Sequence, residues 1–155
     1  MVEMVQKYKR VLVAIDGSKG SEIALTKAIE TVKNNEGSTL DVLRVLDLNS
    51  LEYGGAGIAL DGSEIYRIEQ ANEEYMFSLK QKLVKDEGLK EEAVHVHLRF
   101  GNPKLVIVHD FQPEYGNDLI LVGSTGKNFF ERLVIGSVAS YVIRNSACDV
   151  LMARN

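Results

Sequence analysis

The chain has 155 residues, a single cysteine and a net charge of −4 from 18 basic and 22 acidic side chains. That length fits one domain, 1–155, with enough core to fold without crosslinks, and the acidic balance argues against a general binder of nucleic acid or anionic membrane. Cys148 has no disulfide partner, and its neighbours Ala147 and Val150 suggest a small buried thiol. The first ten residues lack the apolar core of a signal peptide, and no stretch approaches membrane-spanning length, so the expectation is a soluble cytoplasmic protein.

In chain order, Arg10–Ile15 is apolar at every position after Arg10, as in a strand covered on both faces. The turn Asp16-Gly17-Ser18 follows. Ile23, Ala24, Ala28, Ile29 and Val32 then recur at helical spacing up to Gly37. Leu40–Leu46 reads as a second strand and 47–62 as a glycine-rich loop. The longest helix begins near Asp61, with Glu64 completing a capping box, and ends at Gly88. Its apolar stripe is Ile65, Ile68, Ala71, Tyr75, Met76, Leu79 and Leu83.

Residues 93–100 alternate, with Val94, Val96, Leu98 and Phe100 on one side and His95, His97 and Arg99 on the other. This is the pattern of a half-exposed edge strand. His95 and His97 read as solvated, since no carboxylate or third histidine is placed with them in sequence. Leu105–Phe111 has a β-branched run, but Asn102-Pro103 is a helix start and a parallel crossover requires a helix here. Asp118–Val122 is a strand, Ser137–Ser146 a helix and Asp149–Ala153 the last strand. Alternation of this kind implies an α/β fold: an open five-stranded parallel sheet, order 3-2-1-4-5, with helices on both faces. Strands 1 and 4 are then neighbours whose connections diverge, which opens a crevice at their carboxyl ends.

The segment from Gly123 to Ser137 enters that crevice. It reads Gly123-x2-Gly126-x9-Gly136-Ser137. Glycines permit close approach of a ligand oxygen to the backbone, and Gly136-Ser137 opens a helix whose N–H groups and dipole favour an anion. From Lys127 onward four basic residues face two acidic ones, in the same part of the chain. Walker A requires a glycine where Leu121 stands and Ser or Thr where Asn128 stands, so this is no P-loop. The dinucleotide fingerprint is missing from the first turn. The segment is a phosphate and ribose cradle.

These residues resemble the universal stress protein family. The likeness covers the opening Val11-Leu-Val-Ala-Ile-Asp16-Gly-Ser, the second strand Leu43-Arg-Val-Leu-Asp47, Asp118–Gly123, the glycine signature and the closing Cys148-Asp-Val-Leu-Met. The signature is similar to that of the family's ATP-binding branch. The resemblance implies that ATP, or ADP or AMP, binds with Mg²⁺ through Ala14, Asp16, Val45, Gly123, Gly126, Lys127, Gly136, Ser137 and Val138. Asp16 would lie at the ribose and metal end as the metal ligand, and the backbone of Val45 would read adenine. Gly123 and Gly126 would line the ribose and phosphates, while Gly136, Ser137 and the N–H of Val138 would hold phosphate. Arg44 and Thr125 stand where the family often carries histidine; both departures spare the backbone donors. The function implied is a nucleotide-dependent stress-response regulator, and the alternative is a slow ATPase or adenine-nucleotide hydrolase of the same fold. A homodimer is expected through residues 149 to 153, an edge strand with no proline or lysine to block pairing.

Overall fold

The computed structural model describes residues 7–50, 53–55, 59–124 and 135–154. Five parallel strands, β1 (Arg10–Ile15), β2 (Thr39–Leu46), β3 (Val94–Phe100), β4 (Leu119–Gly123) and β5 (Asp149–Ala153), lie in the order β3-β2-β1-β4-β5. Helices α1 (Lys19–Asn34) and α2 (Gly62–Lys85) connect the strands on one face. Helix α3 (103–115) and helix α4 (Ser137–Asn145) cover the other. The expected doubly covered parallel sheet is what forms.

Alternation along β1 explains why its sequence is continuously apolar. Val11, Val13 and Ile15 enter the core beneath α1 and α2 with Leu40, Val42 and Leu121, whereas Leu12 packs with Leu43, Ile120, Phe111 and Val142 on the opposite face. Helix α1 starts at Ser18, whose Oγ accepts the Ser21 N–H at 3.2 Å. Helix α2 starts at Asp61, whose Oδ1 accepts the Glu64 N–H at 2.8 Å, as the capping pattern anticipates. Gly88 follows the end of α2 with φ +73, and the Leu89 N–H reaches back to the Leu83 carbonyl at 3.2 Å.

Helix α3 is not uniform. An α turn at Pro103–Leu105 opens into a π-type stretch, Val106–Phe111, and closes with an α turn at Gln112–Tyr115. Pro113 has no N–H for the His109 carbonyl, and its ring crowds that carbonyl, so the ladder loosens just before it. In the wider turn each residue advances less around the axis, which lets Val106, Ile107, Val108 and Phe111 all be buried on the sheet. This is why the run looked strand-like in sequence.

Three expectations need correction. Tyr75 is 51% exposed and Ala71 is exposed, so of the expected stripe of α2 Met76 and Leu83 are buried and Ile65, Ile68 and Leu79 are partly covered. Cys148 is half-buried rather than buried; burial, helped by Asp149 and Asp118, pushes its thiol up to about 11. The alternating histidine side of β3 is not a solvated face. His97 is only 14% exposed, and its Nε2 lies 2.8 Å from Oδ1 of Asp41, a carboxylate with no exposure at all.

Asp41 gathers the amino halves of four strands. It accepts Arg10 Nε at 2.7 Å and Nη2 at 3.1 Å from β1, the His97 contact from β3, and Asn117 Nδ2 at 2.9 Å from just before β4. Burial alone would raise its pKa, but the hydrogen bonds from His97, Arg10 and Asn117 outweigh that and hold the carboxyl well below the usual carboxylate range. Phe111 and Tyr115 of α3 lie against the His97 ring at 4.7 and 5.0 Å between centroids, and the Arg10 guanidinium lies 4.9 Å from the Tyr115 centroid.

Candidate functional site at the carboxyl ends of the central strands

The register brings the expected residues together. Val11 to Val13 pair with Leu119 to Leu121, so two residues further on Ile15 stands level with Gly123. On the other side Ala14 pairs with Leu43 and Ile15 with Arg44, placing Val45 beside the end of β1. Ala14, Val45 and Val138 are half-buried on the α3–α4 face. Three of the residues expected to hold nucleotide therefore share one face and one end of the sheet. Gly126 and Lys127 lie outside the described residues.

Asp16 is exposed, and its turn is locally determined. Its Oδ1 accepts the Ser18 N–H at 2.8 Å, its N–H is donated to Ser21 Oγ at 3.2 Å, and Ser21 Oγ donates to the Ser18 carbonyl at 3.0 Å. Gly17 sits at φ +80, where a side chain would be strained. One carboxylate oxygen of Asp16 is thus engaged in the turn, leaving Oδ2 as the oxygen suited to a hard cation. Mg²⁺ is commonly held by one or two carboxylates together with the phosphates of its nucleotide, so a single Asp oxygen fits that chemistry.

Gly123 has a structural role that sequence did not reveal. A Cβ there would fall 2.6 Å from the Gly20 carbonyl carbon, 2.8 Å from its oxygen and 2.9 Å from the Ser21 nitrogen, all backbone atoms of the first turn of α1. Absence of a side chain at Gly123 lets β4 and α1 meet at van der Waals distance.

Gly136 is tied to the end of β4 through Ser124. Its N–H donates to the Ser124 carbonyl at 2.7 Å, while Ser124 N–H donates to the Ala153 carbonyl at 3.0 Å. The Gly136 N–H is therefore occupied. The donors that α4 presents are those of its first turn, beginning with Ser137 and Val138, which have no partners within the helix and no side-chain cap. Gly136 has φ −63 and ψ 160, ordinary values for any residue, so no backbone strain requires a glycine there. Helix α4 is held against α3 by His109 Nε2 and Tyr141 Oη, 2.6 Å apart, with Lys104 Nζ 5.6 Å from the Tyr141 ring centre.

Sequence reading missed Asp41. A charged residue inside the apolar run Leu40–Leu43 was the available signal, because a buried carboxylate has to be paired. Among the described residues no group of three or more His, Cys, Asp or Glu side chains is placed to hold a metal ion, and no helix is long and apolar enough to cross a membrane.

Residues 7–154 match the universal stress protein family. A universal stress protein of Staphylococcus haemolyticus is 32% identical over 154 residues, covering 95% of this chain and 85% of its own length. The solved structure of the universal stress protein UspA from Lactobacillus plantarum superposes with a TM-score of 0.77 at 25% identity, covering 97% of this chain and all of that one. An Arabidopsis thaliana family member solved with AMP bound shares the fold, with a TM-score of 0.60 at 17% identity over 95% of this chain and 92% of its own. On sequence match and fold together, the chain belongs to the universal stress protein family.

Proposed function

We propose that the protein binds an adenine nucleotide, ATP with Mg²⁺ or the related ADP or AMP, at the carboxyl-end crevice between β1 and β4, and acts as a nucleotide-dependent stress-response regulator in the cytoplasm. The observation that carries this reading is the convergence of the Asp16 turn, the Val45 backbone and the uncapped first turn of α4 at one end of the sheet. An anion is favoured at the last of these, a base can be read by backbone groups at the second, and Asp16 can share a cation with phosphates at the first. The AMP carried by the Arabidopsis relative agrees with this ligand class. Regulation rather than turnover is the reading because the glycine signature fixes no second acid beside Asp16 as a base, and phosphoryl transfer needs both a positioned nucleophile and charge stabilisers.

Mass spectrometry of small molecules released by denaturing the purified protein, followed by calorimetry, tests the reading. Adenine nucleotide is expected to bind at millimolar or tighter affinity and GTP more weakly. Gly136→Val is expected to lower affinity at least about tenfold, because a branched side chain would occupy the space beside the first turn of α4. The ordinary φ of residue 136 adds no backbone strain, and a melting curve of the variant separates lost ligand space from lost packing at this buried position. Absence of heat with every adenine nucleotide overturns the function, and wild-type affinity in the folded variant overturns the placement of phosphate.

The same reading includes a homodimer through β5. Leu151 is exposed, Val150 and Met152 are half-covered by the α4 side, and the outer edge of β5 has no neighbouring strand among the described residues. Antiparallel pairing about a two-fold axis would complete its ladder. Light scattering should give a dimer mass that Leu151→Pro reduces to a monomer at micromolar concentration; a dimer indifferent to that change places the interface elsewhere.

A further inference from the structure

Helix α2 is 24 residues long, yet none of residues 62–75 is buried; its buried positions, Met76 and Leu83, lie in the second half. Four turns of helix are thus covered only in part, at Ile65, Ile68 and their neighbours, although a helix of that length is marginal in water on its own. Three large aromatic residues are exposed along α2, Tyr66 at 63%, Tyr75 at 51% and Phe77 at 62%. Tyr66 and Phe77 belong to a single seam. Tyr66, Gln70, Glu73, Phe77, Lys80 and Val84 are separated by alternating steps of four and three, the spacing by which two helices lie side by side.

Charge along α2 is divided. Residues 62–75 contain four glutamates and one arginine, whereas residues 76–85 contain three lysines and no acidic side chain. The helix dipole accounts for Glu64 at the start and for Lys82 and Lys85 at the end, but its influence fades within the first and last turns. Glu69, Glu73, Glu74 and Lys80 lie between those turns and need another explanation.

We propose that this face of α2 docks onto α2 of a second copy of the chain, antiparallel about a two-fold axis near Phe77. Antiparallel placement sets the acidic half of one helix beside the basic half of the other, a self-complementary contact that a two-fold axis repeats. Glu73 and Glu74 then lie alongside the partner's Lys80, and the two copies of Phe77 cover each other at the axis. Parallel placement would oppose like charges throughout. A single helix pair is a small interface, so the association is of the weak, reversible class.

The contact lies on a different element from β5, and the experiment keeps the two apart. Sedimentation of the full chain across a wide concentration range, in the Leu151→Pro background and in the native one, is expected to show a reversible doubling of mass that weakens with salt. Phe77→Glu should abolish that step without changing the melting temperature, since the residue is exposed. Lys80→Glu or Glu73→Lys alone should weaken it about tenfold, and the two together should restore it, because both charges are then swapped in both copies. Doubling unaffected by Phe77→Glu overturns the proposal. So does a double swap as weak as either single change. If Leu151→Pro unfolds the chain, the charge-swap series in the native background decides by the same criterion.

Discussion

Replacing Asp41 by alanine is expected to lower the unfolding free energy by about 3 kcal/mol, the lower end of the range for removing one partner of a buried ion pair, because the Arg10 side chain is a third exposed and can be rehydrated. The carboxylate has no solvent exposure and carries four hydrogen bonds, so its loss leaves Arg10, His97 and Asn117 without their common acceptor. Asp41→Asn keeps the shape and one acceptor oxygen and should fall between wild type and alanine. The sign of the pH dependence follows from the depressed pKa. Above the unfolded-state value of about 4 both states are ionised and the stabilisation is complete. As pH falls below that value the unfolded chain takes up a proton that the folded carboxylate still resists, so stability is lost progressively toward the folded-state value. Chemical denaturation from pH 6 down to pH 2 should therefore give a steep decline in the wild type and a shallower one in Asp41→Asn. Parallel curves would show that Asp41 does not anchor the fold electrostatically.

Gly123→Val should be the second most damaging single change. Even a lone Cβ would lie within 3.0 Å of three backbone atoms of Gly20 and Ser21, none of which can rotate away as a side-chain tip would. Relief requires moving the first turn of α1 away from β4, and overpacking of this kind typically costs about 1–3 kcal/mol, occasionally more. For a chain of this size that corresponds to a loss of roughly 2–12 °C in melting temperature, with valine toward the upper end and alanine toward the lower. The displacement would also disturb the Asp16–Ser21 turn, so adenine-nucleotide affinity should fall with stability. An unchanged melting temperature would mean that α1 and β4 do not meet as closely as described. The contrast with Gly136→Val is diagnostic: one glycine is required by helix packing, the other by the ligand space proposed beside α4.

The strand order was legible because β1 and β4 are apolar on both faces and every crossover carries its own start and stop signals. What failed was whatever depended on a neighbour distant in sequence. His97 alternates with apolar residues as an exposed residue would, and nothing local reveals that Asp41, in register with His95 on the adjoining strand, is within reach of it. Tyr75 fits the periodicity of α2 but lies in the half that the sheet does not cover. Gly123 and Gly136 look equivalent in the signature, yet the first is fixed by the backbone of α1 and the second donates its N–H to the Ser124 carbonyl. At the candidate site, sequence supplied the turn and the helix start. The hydrogen bonds that occupy some donors and leave others available needed coordinates.

The Asp41 knot joins the amino halves of β1, β2 and β3 and the segment entering β4, while the Asp16 turn, Val45 and the start of α4 lie at the opposite ends. Substitutions near the crevice can consequently accumulate without loosening the knot. A lineage could change the ligand proposed for the crevice, or lose it, by altering residues at one end alone. The acidic side chain at position 41 and its three donors form the part of such a protein expected to drift most slowly, because each depends on the others for a partner.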